Sequence, residues 1–371
     1  MAAVALAGTM HKMKGEPMGT MLDTIARIPE AVEAMARHRE DRTEPLSRLL
    51  AALGPECCPE RIVFVGSGSS YNSALAALPF CDRVGIEASA LYPNQLSYRR
   101  TINKRDLYVF ISQGGSTKLV FEGLEKVRAA GCPTCSITAR LDAPIARAAD
   151  ASIEMGCGDE EYVYRTIGVS TSIVSCWQVA MALSAARDGL SDSELAALDE
   201  GLAAVAGSLD DIRERTCAWF EDHRFSLLRK SYLMFAGAND LYAVAREADI
   251  KAMEMVPIIT RSYELEEIIH GPQNAFDANG AFFIFAREAE DASKARSIAA
   301  FLDHEIGFCA LVGDIAEGRR DFALTEADRT FGALAYLTFG QVLAYCYATA
   351  RGRDLKRRVN ATMDGYISKT L

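Results

Sequence analysis

The chain has 371 residues, half of them hydrophobic, and a formal net charge of −10. That length supports two compact domains, and the acidic balance argues against nucleic acid and anionic membrane as partners. No run reaches the roughly 18 uninterrupted apolar residues of a membrane span, and ten scattered cysteines without a disulfide framework fit reduced thiols of a cytosolic protein.

Residues 1–20 hold four methionines and no clean apolar core, and are expected to be a disordered leader. Residues 21–50 read as a helical extension: Met21 to Met35 has apolar residues at helical spacing, with Pro29 marking a break or a new first turn. Residues 51–190 then alternate short strands with helices. Strands are expected at 61–66, 106–112, 133–138 and 151–154, and helices at 72–78 and 118–130. A helix-rich middle begins at Ser170 and includes a linker over 191–225. It carries amphipathic stretches at 193–205 and 209–220, and Ser170, Thr171 and Ser172 read as its helix cap.

The pattern restarts over 226–352, with strands at 231–237, 281–286 and 307–312 and helices at 240–255, 293–304 and 331–350. Val63-Phe64-Val65-Gly66 parallels Leu233-Met234-Phe235-Ala236-Gly237, an offset of about 170 residues. A repeat that long is a duplicated domain and not a solenoid unit. The fold class is therefore α/β: two tandem doubly wound parallel-sheet domains with helical N- and C-terminal extensions, the tail covering 353–371.

Two strand-to-helix turns are rich in serine and glycine. Gly66-Ser67-Gly68-Ser69-Ser70 follows the first strand, and Ser112-Gln113-Gly114-Gly115-Ser116-Thr117 follows the next. Such turns present backbone N–H groups and hydroxyls to an anion, and two at consecutive strand ends converge on one crevice. Neither has the spacing of a P-loop or a dinucleotide fingerprint. Downstream, Lys251 and Glu254 share a helical face, and His270-Gly271-Pro272 follows 16 residues later. A carboxylate and an imidazole suit proton transfer near neutral pH. Cys132 and Cys135 form a C-x-x-C without a second pair, which reads as packing and not as a metal site.

These residues resemble the sugar-isomerase (SIS) domain family. The resemblance rests on Gly68-Ser69-Ser70-Tyr71, Ser112-Gln113-Gly114-Gly115, the internal repeat and Glu267-Ile268-Ile269-His270-Gly271-Pro272. The pattern is similar to the isomerase half of glucosamine-6-phosphate synthase and to fructosamine-phosphate deglycases and amino-sugar-phosphate deaminases. The resemblance implies flavodoxin-like domains and a phosphorylated sugar substrate. Ser67, Ser69, Ser70, Ser112, Gln113 and Thr117 would hold its phosphate. Glu254 would shuttle a proton between C1 and C2, His270 would assist ring opening, and Lys369 would form or assist an imine. Lys251 would orient the open chain, and Ser170 and Glu267 are candidate sugar contacts. It implies no cofactor and no metal, and a homodimer whose partner lends His270 to a shared site. The family often has Ser and Glu where this chain has Gly114 and Ser116. The chain shows no N-terminal glutaminase segment, so release of ammonia from glutamine is not expected of it. A sugar-phosphate sensor without catalysis is the alternative from another class.

Overall fold

The computed structural model describes residues 19–288 and 291–371, and the expected leader falls outside them except for its last two residues. The described chain enters through α1 (Met21–Ile25), α2 (Ile28–Arg37) and α3 (Arg39–Cys57). Pro29 lies in the first turn of α2, where its missing N–H would have had no helical partner.

The first sheet follows as β1 (Arg61–Val65), α4 (Ser69–Arg83), β2 (Glu87–Leu91), α5 (Pro93–Tyr98), β3 (Asp106–Ile111), α6 (Lys118–Ala129), β4 (Thr134–Thr138), α7 (Pro144–Ala148) and β5 (Ala151–Glu154). Next come α8 (Ile167–Ala186) and α9 (Asp192–Leu228). The second sheet comprises β6 (Tyr232–Gly237), α10 (Asn239–Met255), β7 (Ile259–Glu264), β8 (Gly280–Phe285), α11 (Ala292–Phe301), β9 (Phe308–Gly313) and β10 (Phe322–Ala323), and α12 (Ala333–Ala350) closes the ordered helices.

The strand orders are β2-β1-β3-β4-β5 and β7-β6-β8-β9-β10, so the two sheets repeat one topology. Every strand pair is parallel. Central strands read as unbroken apolar runs because helices cover both faces, and all six residues of β3 are buried. The strands that pattern reading missed are edges: β2 and β7 are half-exposed, and β10 has two residues.

The two sheets share one core. Its largest cluster of buried apolar side chains takes in Phe64 of β1, Trp177 of α8, Phe235 of β6 and Phe339 of α12. At mean hydropathy 1.4, α8 has the length and composition to cross a membrane, yet Ile167 to Ser184 are buried inside the fold, as suits a core helix apolar all round. The two expected amphipathic stretches after Ser191 are one 37-residue helix, α9, opened by a reciprocal Ser191–Glu194 cap.

Candidate functional site

β1 and β3 are hydrogen-bonded neighbours, so the turns at their carboxyl ends face one crevice. A chamber of about 530 Å³ lies there, lined by Ser67, Ser69, Ser70, Ser112, Gln113 and Thr117. Ser69 and Ser70 of α4 and Thr117 and Val120 at the start of α6 line it, so the positive amino termini of both helices face the chamber. Ser112 Oγ and Thr117 Oγ1 lie 2.9 Å apart, and the Gly115 N–H donates to Ser112 Oγ at 3.2 Å. Glycine is required at 115: φ is +66° there, and a Cβ would stand 2.3 Å from that of Ala143.

Gln113 lies across the start of α8. Its Nε2 donates to Glu160 Oε2 at 2.9 Å, and a Cβ on Gly168 would come within 2.1 Å of its Oε1. The Glu160 side chain is fully buried and also accepts from the Thr166 N–H at 2.6 Å and the Thr166 hydroxyl at 3.1 Å. The cap of α8 is therefore Thr166, four residues before the expected Ser170. Ser170, Thr171 and Ser172 are buried inside the helix, where Thr171 Oγ1 donates back to the Ile167 carbonyl. Hydroxyl side chains marked that segment as a cap in the sequence, but the cap position falls at Thr166, whose own N–H and hydroxyl are received by Glu160.

The second half reaches this crevice through α10. Glu247, Lys251 and Glu254 recur at i, i+4 and i+7, one face of the helix. Glu247 accepts from Ser69 Oγ at 2.8 Å and from Asn72 Nδ2 at 2.9 Å. Lys251 Nζ lies 3.4 Å from the Glu247 carboxylate and hydrogen-bonds Glu254 directly. The lysine is 1% exposed. Burial works against its ammonium, but Glu247 and Glu254 outweigh it and hold the pKa above the ordinary lysine value. Burial pushes the Glu247 carboxyl up, against the opposing effects of Lys251, Asn72 and Ser69. A continuous polar chain thus joins the serine turn to Glu254, whose side chain is 32% exposed.

The carboxyl-terminal segment crosses the same opening. The Lys118 N–H donates to the Lys369 carbonyl at 3.0 Å, and the Leu371 N–H to that of Ser116 at 3.0 Å. Thr370 pairs antiparallel with Thr117. Lys369 lines the serine-turn chamber and an adjoining one of about 420 Å³ whose wall holds Glu254.

The sequence candidates therefore divide. The six phosphate candidates, Glu254 and Lys369 meet around two joined chambers. Lys251 lines neither and contacts Glu254 instead of open space. Ser170 is 1% exposed and lines neither. Glu267 is exposed in the 3₁₀ turn Glu266–Ile269. His270 follows that turn, 59% exposed, with Nε2 3.3 Å from Glu266 Oε1, and does not line the chambers. Glu160, Arg165, Glu247 and Arg358 were missed. The helical spacing of Glu247 with Lys251 was the one available signal.

Among the described residues, the second sheet fills the equivalent place. At the end of β8, in the place of the second turn, Arg287 is 3% exposed and pairs with Asp240 at 2.7 Å and Glu326 at 2.7 Å. An ion triad fills the space that serines and glycines leave open in the first half. A larger groove of about 900 Å³ runs beside Phe308, Cys309 and Arg320. It runs along β9 from Phe308 to Ile315 beyond the strand's end, and not at the β1 and β3 ends where the serine turns lie, and Arg320 is already paired with Asp303. The smaller chamber is the better site. Among the described residues no group of three or more His, Cys, Asp or Glu could hold a metal ion.

This arrangement of hydroxyl-lined turns is that of a SIS domain, and the SIS domain family model matches residues 57–182. Those residues carry a SIS domain. It is 26% identical over 312 residues to a glutamine--fructose-6-phosphate aminotransferase (isomerizing) of Symbiobacterium thermophilum, covering 81% of this chain and 50% of that protein. The chain thus spans about half the length of that relative. The C-terminal domain of glucosamine-fructose-6-phosphate aminotransferase from Francisella tularensis superposes with a TM-score of 0.82 at 21% identity, over 93% of this chain and 99% of that one. A glucosamine-6-phosphate deaminase from Thermotoga maritima superposes with a TM-score of 0.73 at 19% identity, over 94% and 98%. Two parallel five-stranded α/β sheets of this order are the fold shared with these structures.

Proposed function

We propose that the chain is an enzyme of phosphorylated amino sugars or fructosamines, acting by C–N cleavage or ketose–aldose isomerisation on the open chain. One observation carries this reading: the hydroxyl-lined turns and the Glu254–Lys251 pair are joined through Glu247, which accepts from Ser69 and pairs with Lys251, and Lys369 lines both adjoining chambers.

In this reading the substrate phosphate accepts from the turns and from the starts of α4 and α6. The carbon chain then extends past Lys369 to Glu254. Glu254 takes a proton from one carbon and returns it to the next, and Lys251 fixes the carboxylate's position. Lys369 meets the carbonyl, either as a donor to its oxygen or as the nitrogen of an imine. His270 assists ring opening from a second copy of the chain, since in its own chain it stands exposed outside the cleft.

The test is incubation of the protein with glucosamine 6-phosphate, fructosamine 6-phosphates, and fructose 6-phosphate plus ammonia. Turnover of at least one is expected, and binding without turnover of any would remove the enzymatic reading. A second reading, a non-catalytic sugar-phosphate sensor, is favoured by the position of His270 alone, because sensing needs only the phosphate turns.

A further inference from the structure

An arginine stands one residue before Glu247 and lines neither chamber. Arg246 is half-buried at the seam between α4 and α10, and among the described residues it pairs with no carboxylate. Its Nε donates to Asn72 Oδ1 at 3.2 Å, and its Nη2 to the Tyr92 hydroxyl at 2.9 Å. The guanidinium carbon lies 5.7 Å from the ring centres of both Tyr71 and Tyr242, and Tyr71 stacks on Tyr92 at 3.8 Å. Three tyrosines and an amide thus hold one cation in place.

The amide is the informative partner. Asn72 is 2% exposed, and its Nδ2 donates to Glu247 at 2.9 Å. A carboxylate only accepts and a guanidinium only donates, so an asparagine between them has one satisfied orientation. Without the arginine, Oδ1 loses its donor, and the amide is free to turn that oxygen toward the Glu247 carboxylate. Glu247 would then keep Ser69 and Lys251 as partners. The charged groups acting on this cluster are Glu254 on the same helix and Glu160 from the segment before α8. Packed along α10, α12 has no Asp, Glu, Lys, Arg or His over Ala333–Ala350, and β7 meets Asp249 instead, through Thr260 and Ser262.

We propose that Arg246 is a positioning residue: by orienting the Asn72 amide it keeps Glu247 ionised beside Lys251, which in turn holds Glu254 ready as the base. This rests on the reading of Glu254 given under Proposed function. The direction of the effect follows from burial. Burial raises the Glu247 carboxyl and Asn72 opposes that, so losing the amide N–H raises it further. A protonated Glu247 no longer balances Lys251. The whole lysine charge then falls on Glu254 and weakens it as a base. Activity is therefore lost first on the acid side.

The experiment measures kcat and KM against pH for Arg246→Met, Arg246→Lys and Asn72→Asp, on whichever substrate named under Proposed function the parent chain turns over. Asn72→Asp keeps the shape of the amide, removes its N–H donor and sets a second carboxylate against Glu247, so it carries the test even where Arg246→Met does not fold. Arg246→Met and Asn72→Asp are expected to lower kcat about tenfold at pH 7 with KM within about threefold, and to move the acid limb of kcat upward by about one pH unit. Arg246→Lys, which still donates to Oδ1, is expected to keep most of the rate. An acid limb unmoved by the substitutions, or a rate lost equally in Arg246→Lys, overturns the proposal while the enzymatic reading stands. Turnover of none of those substrates by the parent chain overturns both.

Discussion

Replacing Gly168 by alanine sets two effects of opposite sign against each other. Alanine is the better helix former, and in a helix interior the exchange gains about 1 kcal/mol. Gly168 is the second residue of α8, so the gain there is at most that. Against it, the new Cβ would stand 2.1 Å from Gln113 Oε1 and 2.5 Å from its Cδ. The Gln113 side chain must leave, and its 2.9 Å bond to the buried Glu160 carboxylate is lost. A hydrogen bond to a charged group contributes about 1.5–3 kcal/mol. Glu160 keeps its two bonds from Thr166, so the loss stays within that range. The net expectation is destabilisation by about 0.5–2 kcal/mol, read as a lower urea midpoint at unchanged slope. If Gln113 also contacts the substrate phosphate, affinity for fructose 6-phosphate should weaken about tenfold, the equivalent of about 1.4 kcal/mol. A Gly168→Ala protein more stable than the parent, with equal affinity, would refute both the packing argument and the role given to Gln113.

Other predictions bear on separate links. Glu254→Gln should abolish turnover while leaving sugar-phosphate affinity within a few-fold, and retained turnover removes it as the base. Gly114→Ser adds a hydroxyl where a Cβ meets no atom within 4 Å; it should tighten phosphate binding about threefold to tenfold, and weaker binding would mean that this turn faces elsewhere. Cys217 and Cys346 face each other across α9 and α12 with their sulfurs 3.7 Å apart. The Cys346 thiol donating to it, with Arg213 nearby, brings Cys217 down to about 7 against the effect of burial. Its thiolate therefore forms as pH rises through about 7, and alkylation of Cys217 should show that midpoint, whereas Cys81 and Cys135, pushed up to about 12 by burial, should label only on unfolding. A midpoint for Cys217 near that of an ordinary thiol, about 8.5, would contradict the pairing.

Much of the fold was legible because its signals are local. β1 and β3 announce themselves as apolar runs ended by glycine and serine, and the repeat at about 170 residues exposes the second sheet. The edges β2 and β7 escaped because each is short and half-exposed: β2 alternates only with alanines, which favour strands weakly, and β7 is mostly polar. The site divides along the same line. Serines 67, 69, 70 and 112 stand in turns whose chemistry is written in five or six consecutive residues. Glu247 meets Ser69 across 178 residues, and Glu160 meets Gln113 across 47. No pattern along the chain records such distant contacts. His270 shows the reverse failure: its motif is conspicuous, yet in the single chain the ring faces solvent beside Glu266.

A structure with a bound ketose phosphate tests the central claim most directly. The account places the phosphorus within hydrogen-bonding reach of the Ser67–Ser70 and Ser112–Thr117 turns, with C1 and C2 about 3–3.5 Å from the Glu254 carboxylate. A phosphate lodged instead in the groove beside Arg320, or a carbon chain directed away from Glu254 and Lys369, would contradict it.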